Sequence, residues 1–190
     1  MAIQGYIINL PQYENSVQWA NEAFASAINC GWNVSLFNGV NGHTETLNDY
    51  NVKIYQGNKK CIKYLQRPGT QGCFLSHYKL WLHCVEINQP IFIFEHDVLF
   101  NKPTGIIEFT DIIKFEGFFQ AKPIKPGNWW EGARAYGITP SGASKILDWV
   151  NINGAMPADW MLCDGIVDIV FDYNEKVVVN QHDFSFTKDL

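Results

Sequence analysis

The segment IFIFEHDVLF, residues 91–100, sets three ionisable side chains directly after a strongly apolar run. A near-continuous run of four apolar residues is typical of a strand that is buried on both faces of a sheet. Glu95, His96 and Asp97 follow it, although burial of an unpaired carboxylate is costly. The run therefore predicts a central β-strand that ends at Glu95 and carries the acids to its carboxyl end.

Glu95 and Asp97 are separated by one residue. Side chains at i and i+2 of an extended segment point the same way, so we expect both carboxylates to face one spot and His96 to face away. Oxygen ligands suit Mg²⁺ or Mn²⁺, which can also hold a substrate diphosphate. Because ligand sites of α/β sheets lie beyond the carboxyl ends of the strands, the pattern predicts a metal site. The alternative interpretation is that the acids are solvated turn residues or salt-bridge partners.

Strand-like and helix-like segments alternate along the chain, which predicts an α/β sandwich with a mainly parallel central sheet. The absence of repeats and linkers indicates a single domain over residues 1–190. The strand-like segments are GYIINL (5–10), NVSLFNGV (33–40), IFIFE (91–95), GFFQAK (117–122), VDIVFDY (167–173) and KVVVNQ (176–181).

Three segments predict helices, at 14–30, 71–87 and 141–150. Thr70 and Ser141 are the expected N-caps of the second and third helices. Residues 43–66 are polar and irregular, and we expect them to include a surface loop. The expected apolar stripe of the first helix consists of Val17, Ala20, Phe24 and Ile28.

The composition excludes several classes of protein. Apolar residues make up 47% of the chain, enough for a full core, and a net charge of −5 with a pI near 5.5 argues against a nucleic-acid partner. No apolar stretch approaches the roughly 20 residues that span a bilayer, and the N-terminus lacks the pattern of a signal peptide. Five widely spaced cysteines without a CxxC pair fit free thiols in a reducing compartment. We therefore expect a soluble cytoplasmic protein.

GCFLSHYKLW (72–81) followed by IFIFEHDVLF resembles the signature of glycosyltransferase family 25, which includes lipooligosaccharide and collagen galactosyltransferases. That signature opens a helix with Gly-Cys and Ser-His and ends an apolar strand in an acidic triplet; His96 here replaces the middle acid. Further segments follow the family's order: YIINL (6–10), FNGVNG (37–42), AYGITPSGASKIL (135–147), PADWML (157–162) and VVVNQHDFS (177–185).

The resemblance implies a single-domain, type-A nucleotide-diphospho-sugar transferase fold. It also implies a metal-dependent, inverting transfer of a hexose, with galactose the first choice, from a UDP-sugar to a hydroxyl on a glycan, lipooligosaccharide or protein. Mn²⁺ or Mg²⁺ would stabilise the charge that develops on the departing diphosphate. A lipid-linked acceptor would be compatible with peripheral membrane association.

The resemblance also implies roles for individual residues. Asp97 would bind the metal directly, Glu95 would bind it through water or hold the donor's ribose, and His182 would complete the metal site. The floor of the donor pocket would be Ser76 and His77. The nucleotide base and ribose would be lined by Asn9, Leu10, Asn38 and Gly39.

Glycosyl transfer also needs a base that takes the proton of the acceptor hydroxyl. Asp159, between Pro157 and Trp160, is the first candidate, and Glu131 is the second. The alternative for Asp159 is a helix N-cap. The rings of Trp129, Trp130 and Trp160 offer flat faces for pyranose stacking, although core packing could also claim them.

Other interpretations remain open from the sequence. A carbohydrate-binding module of the same fold without catalysis would fit the altered triplet, and a metal-dependent phosphohydrolase is a weaker possibility. Cys73, His77 and Cys84 fall on one stripe of the predicted helix 71–87 and are a candidate zinc site. A buried stripe in which His77 is hydrogen-bonded is the favoured reading of that pattern.

Overall fold

The computed structural model describes residues 2–105, 107–115 and 132–179. Its centre is a six-stranded sheet with the order β2-β1-β3-β6-β5-β7. The strands are β1 (Gln4–Asn9), β2 (Val34–Asn38), β3 (Ile91–Glu95), β5 (Ile112–Lys114), β6 (Ala135–Ile138) and β7 (Ile169–Phe171). A separate pair is formed by β4 (Val98–Phe100) and β8 (Val177–Val179).

The sheet is mainly parallel, as the sequence predicts. Strand β1 pairs in parallel with β2 and β3, and β5 pairs in parallel with β7. Only β6 runs antiparallel to its two neighbours. The carboxyl ends of β1, β2 and β3 therefore meet at one edge, where Ile8 lies opposite Glu95 and Asn9 lies opposite Asn38.

Helices cover both faces of the sheet, which completes the expected α/β sandwich. The helices are α1 (Glu14–Asn29), α2 (Lys59–Leu65), α3 (Pro68–Ile87), α4 (Pro140–Asn153) and the short α5 (Ala158–Met161). Along β3, Ile91 and Ile93 pack in a core with α3, α4 and α5, whereas Phe92 and Phe94 pack in a second core with α1. This alternation places Glu95 on the α3 side of the sheet. Within the described ranges, no helix is both long and apolar enough to cross a bilayer.

The predicted N-caps of two helices are wrong. Helix α3 begins at Pro68 behind an Arg67 N-cap, and α4 begins at Pro140, with the Thr139 hydroxyl accepting a hydrogen bond from the Gly142 amide at 3.1 Å. Both helices start at a proline because its fixed φ suits the first helical position and its missing N–H leaves no donor unpaired there. Neither Thr70 nor Ser141 is a cap; each lies inside the first turn.

The predicted stripe of α1 is right for Ala20, which is buried, and for Phe24, which packs against the core, but wrong for Val17 and Ile28. Val17 and Ile28 are 36% and 50% exposed, and the buried face is instead made of small side chains, which let the helix lie close to the sheet. That face consists of Ser16, Ala20, Ala23 and Ala27.

The segment 43–66, expected to include a surface loop, also contains a 3₁₀ helix at Leu47–Tyr50 and helix α2. The strand-like segment GFFQAK (117–122) lies outside the described residues.

Candidate active site

Glu95 meets helix α3 at the end of β3. Its Oε1 lies 3.5 Å from His77 Nε2 and 3.8 Å from Cys73 Sγ. The Glu95 side chain keeps 26% of its surface exposed, so the carboxylate lies at the boundary between core and solvent. One helix and one strand therefore combine a carboxylate, an imidazole and a thiol.

His77 is held by a hydrogen-bonded chain inside the core. Its Nδ1 lies 2.9 Å from the Tyr136 hydroxyl, and Trp81 Nε1 donates to the same oxygen at 2.8 Å. All three side chains are fully buried. The contacts orient the imidazole so that Nε2 points at Glu95, and they confirm the interpretation of His77 as a buried, hydrogen-bonded residue.

The Glu95 carboxyl is ionised at neutral pH. Burial would raise its pKa, but the contact with His77 and the electrostatic effects of His77, His96 and Arg134 outweigh burial and lower the pKa. The site therefore holds a negative charge on the side of the sheet that faces α3.

Asp97 and His96 leave the end of β3 in different directions. Asp97 Oδ2 lies 3.4 Å from Arg134 Nε, and 39% of the Arg134 side chain is exposed. His96 Nδ1 lies 3.3 Å from Ser16 Oγ, and its ring stacks on Trp19 at a centroid distance of 5.6 Å. His96 thus belongs to the α1 side, opposite Glu95, as strand alternation predicts.

Asp159 lies in the first turn of α5 and interacts electrostatically with Glu95. Burial and then the Glu95 charge raise its pKa to about 6, against the opposing effects of Lys114 and of the Asp159 and Trp160 backbone N–H groups. The N-cap of α5 is Pro157, so Asp159 is not the cap. A carboxyl group with a pKa of about 6 is mostly ionised at neutral pH and is still basic enough to accept a proton.

The residues expected at the nucleotide come together beside Glu95. The Asn9 carbonyl accepts a hydrogen bond from the Gly39 amide at 2.7 Å, and the Leu10 amide donates to Ser16 Oγ at 2.9 Å. Asn38 ends β2 with its side chain exposed. These polar groups lie where three parallel strands end, the usual place of ligand sites in α/β sheets.

Ser76 connects α3 to the loop after β2. Its hydroxyl donates to the Gly72 carbonyl at 2.7 Å and accepts from the Val40 amide at 2.8 Å. The side chain is buried. Its position lies beneath the expected donor pocket, and both contacts stabilise the loop.

Several predicted residues lie outside the described part of the chain, namely Glu131, His182, Trp129 and Trp130. Trp160 is described; it is half-buried and packs edge-on against Tyr64 at a centroid distance of 5.7 Å.

The alternative zinc set of Cys73, His77 and Cys84 does not form. The Cys84 thiol donates to the carbonyls of Gln89 and Ile138, because the helix turns it toward the end of α3 and the neighbouring β6. Among the described residues, the group of metal-capable side chains whose ligand atoms lie within 4.8 Å of one another is Cys73, His77 and Glu95.

Sequence reasoning missed the partners of the acids. Lys114, near Asp159, ends β5. Arg134, beside Asp97, directly precedes β6, and Tyr136, beneath His77, lies in β6. Of these three residues, only Tyr136 lies in a segment that resembles the family, AYGITPSGASKIL (135–147). Its role depends on a hydrogen bond with His77, which is 59 residues away in sequence.

Three carboxylates act electrostatically on the Cys73 thiol. Glu95, Asp159 and Asp97 each raise the pKa of the Cys73 thiol, after burial as the largest cause, so three carboxylates act on one point. A divalent cation would offset this concentration of negative charge, and carboxylate oxygens are the ligands that Mn²⁺ and Mg²⁺ prefer.

Comparisons with known proteins give the family. A protein named "Glycosyltransferase 25 family member" from Aedes aegypti is 34% identical over 103 residues, which cover 50% of this chain but only 16% of that protein. A crystal structure of a glycosyltransferase involved in the glycosylation of the major capsid of PBCV-1 covers 99% of this chain and 96% of its own. Its identity of 9% and TM-score of 0.49 carry no functional information.

The family model described as "Glycosyltransferase family 25 (LPS biosynthesis protein)" matches residues 2–131. This match includes the first three strands of the sheet, helix α3 and the Glu95–Asp97 turn, which together build the edge where the acids lie. Because the match spans well over half of the sequence, the chain belongs to glycosyltransferase family 25.

Proposed function

We propose that this protein is a metal-dependent, inverting hexosyltransferase that uses a UDP-sugar, with UDP-galactose as the first donor to test. The observation that carries the proposal is the Asp159 carboxyl, with a pKa of about 6, beside the ionised Glu95. The family match, which includes Glu95 and Asp97, supports the proposal, and Asp159 would add the base from α5.

The proposed reaction joins the acceptor oxygen to the sugar's anomeric carbon and breaks the bond between that carbon and the phosphate oxygen. UDP leaves with the bonding electrons, and Asp159 takes the acceptor's proton. Glu131 is the second candidate for this role. A base that accepts a proton as the new bond forms contributes about 10²–10⁴-fold to the rate.

Asp97 and Glu95 would hold Mn²⁺ or Mg²⁺, with His182 as the third protein ligand. The bound cation would supply charge stabilisation for the leaving diphosphate. The Arg134 guanidinium, which contacts Asp97 and is 39% exposed, adds a positive charge on the same side.

The donor's nucleotide would lie at the strand edge formed by Asn9, Leu10, Asn38 and Gly39. Asn9 and Gly39 are joined through their backbones, so this edge is preorganised. Ser76 and His77 would support the pocket from helix α3, where both are buried and hydrogen-bonded.

The acceptor is a hydroxyl of a glycan, a lipooligosaccharide or a protein. We propose a cytoplasmic location because all five cysteines are free thiols. Association with a membrane would then be peripheral and would come from a lipid-linked acceptor.

The direct test is UDP release from a panel of sugar nucleotides with Mn²⁺, with and without a chelator. We expect release with UDP-galactose, and proton NMR of the product should show an inverted anomeric centre. Folded protein that releases no UDP from any donor would contradict the proposal.

A matched pair of variants sharpens this test. Asp97→Ala should abolish release because it removes a proposed metal ligand, whereas His96→Ala should retain most activity because His96 packs against Ser16 and Trp19 on the α1 side. Circular dichroism of both variants controls for folding. An inactive His96→Ala variant with an intact fold would contradict the assignment of the two neighbours.

The competing function is a carbohydrate-binding module without catalysis. The ion pair between Asp97 and Arg134 favours it, since Asp97 already has a positive partner. Calorimetry separates the two functions: the module would bind glycans with an affinity that UDP and Mn²⁺ do not change.

A further inference from the structure

Three different metal-ligand atoms converge between α3 and the end of β3. Glu95 Oε1 lies 3.5 Å from His77 Nε2 and 3.8 Å from Cys73 Sγ, and all three ligand atoms lie within 4.8 Å of one another. Zn²⁺ binds thiolate sulfur at about 2.3 Å and imidazole nitrogen or carboxylate oxygen at about 2.0–2.2 Å. Tetrahedral angles at these bond lengths separate neighbouring ligand atoms by about 3.4–3.6 Å. The distances from Glu95 Oε1 to His77 Nε2 and Cys73 Sγ, 3.5 and 3.8 Å, are close to these separations between ligand atoms.

His77 provides independent support. Its side chain is fully buried, and within the described part of the chain its Nε2 makes no hydrogen bond by geometry, because its contact with Glu95 Oε1 is 3.5 Å long. A buried polar atom without a hydrogen bond is costly, and a bound cation would remove that cost. This nitrogen points at both Glu95 and Cys73.

The second ring nitrogen of His77 is already positioned. A metal-ligating histidine generally donates its other N–H to a neighbouring oxygen, which holds the ring in place. His77 Nδ1 lies 2.9 Å from the Tyr136 hydroxyl, whose two lone pairs can accept from both His77 and Trp81. The support that a zinc-bound imidazole requires is therefore present in the core.

We propose that Cys73, His77 and Glu95 form a Zn²⁺ site, distinct from the Mn²⁺ or Mg²⁺ site proposed for Asp97 and Glu95. The thiolate and imidazole suit a borderline-soft cation, whereas the manganese-type site relies on oxygen. Zn²⁺ displaces the thiol proton of Cys73, forms the Zn–S bond and releases one proton to solvent. The fourth coordination position remains for water.

Binding of Zn²⁺ at Cys73, His77 and Glu95 has a consequence for activity, which rests on the proposed transferase function. The two sites share Glu95. When Glu95 binds Zn²⁺, its carboxylate is no longer available to the sugar donor or to Mn²⁺. Zn²⁺ should therefore inhibit UDP release even when Mn²⁺ is saturating, and a chelator followed by fresh Mn²⁺ should restore it.

The binding test uses Co²⁺ as a spectroscopic substitute for Zn²⁺. Co²⁺ bound to a thiolate gives an intense near-ultraviolet charge-transfer band, which oxygen-only sites lack. We expect one equivalent of Co²⁺ to produce the band and Zn²⁺ to remove it. Cys73→Ser should abolish the band, and Cys30→Ser should leave it, because the Cys30 thiol contacts the Phe100 carbonyl outside the cluster.

The absence of a band from folded wild-type protein would overturn the site, as would a band that persists in Cys73→Ser. Cys73→Ala is the replacement if the serine variant does not fold. In the activity arm, Cys73→Ser should still release UDP with Mn²⁺ and be at least about 10-fold less sensitive to Zn²⁺. Equal sensitivity of the two proteins would overturn the inhibitory role.

The two proposals fail in different ways. A thiolate band without UDP release from any donor would support the zinc site and contradict the transferase. UDP release that depends on Mn²⁺, without a thiolate band, would support the transferase and contradict the zinc site.

Discussion

At the scale of single residues, Asp159 shows how burial produces reactivity. Its carboxyl group is raised to a pKa of about 6 by burial and by the charge of Glu95, whereas Glu95 is kept ionised by His77 and positive neighbours. Two nearby carboxyl groups thus have pKa values shifted in opposite directions. Such a separation is typical of sites where one acid binds charge and the other transfers protons.

Asp159→Asn should lower the rate of transfer by about 10²–10⁴-fold, because an amide cannot accept the proton. The wild-type rate should rise with pH along a limb centred near the Asp159 pKa of about 6, since only the ionised form is a base. A pH profile of UDP release checks both points. If the rate of Asp159→Asn still rises with pH near 6, the rise comes from the ionisation of another group.

The same substitution should stabilise the fold at neutral pH. The pKa of Asp159 is higher in the folded protein than its ordinary value of 3.8, so its contribution to stability is fully present below pH 3.8 and is lost as the pH rises through about 6. Asparagine avoids this loss and should raise the free energy of unfolding at pH 7 by about 1–3 kcal/mol. Urea unfolding at pH 4 and pH 7 measures the difference, and the exposed Asp148→Asn is the matched control.

At the scale of elements, the start of α3 is joined to the loop after β2 by backbone packing. A Cβ on Gly72 would lie 2.5 Å from the Val40 carbonyl oxygen and 2.7 Å from the Gly42 amide nitrogen. Ser76, one turn further along α3, fixes the same loop through the Val40 amide. Gly72 and Ser76 thus fix the loop after β2 through contacts within the protein.

Gly72→Ala should destabilise the protein by about 2–3 kcal/mol, because the added methyl group meets backbone that cannot move away cheaply. The expected readout is a lower midpoint of urea unfolding. Gly165→Ala is the control, since no atom lies within 4 Å of the added carbon there. If both variants unfold at the same urea concentration as wild type, the contact is less tight than the structure indicates.

At the scale of the molecule, one sheet separates two hydrophobic cores. The core on the α1 side is aromatic: Trp32 lies within 5.1–5.6 Å of four phenylalanine rings, and its Nε1 donates to the Lys102 carbonyl at 2.8 Å. Residues of β3 alternate between the cores, with Phe92 and Phe94 on this side and Ile91 and Ile93 on the other. Both cores therefore depend on the same strand.

Trp32→Phe should lower the free energy of unfolding by roughly 1–3 kcal/mol, through lost volume and the unpaired Lys102 carbonyl. The shared sheet predicts that unfolding stays a single transition, with the same midpoint by far-ultraviolet circular dichroism and by tryptophan fluorescence. Two separate transitions would show that the cores unfold independently.

Local patterns predicted the elements well where one physical preference dominates. The run IFIF is apolar on both faces, so the end of β3 at Glu95 follows from the sequence. The starts of α3 and α4 did not follow, because proline at the first helical position competed with the nearby Thr70 and Ser141 as a start signal. Three residues of the buried face of α1, Ser16, Ala23 and Ala27, were missed because alanine and serine carry a weak hydrophobic signal.

The sequence by itself determined the alternation of strands and helices, the mainly parallel sheet and the position of Glu95 at a strand end, since these depend on side-chain periodicity within short segments. Only the tertiary structure decided which groups surround that carboxylate. His77 contacts Glu95 from α3, and Tyr136 of β6 holds His77. Arg134, just before β6, contacts Asp97, and Asp159 of α5 interacts electrostatically with Glu95. Their effects on charge and pKa depend on distance in space, which local sequence patterns do not encode.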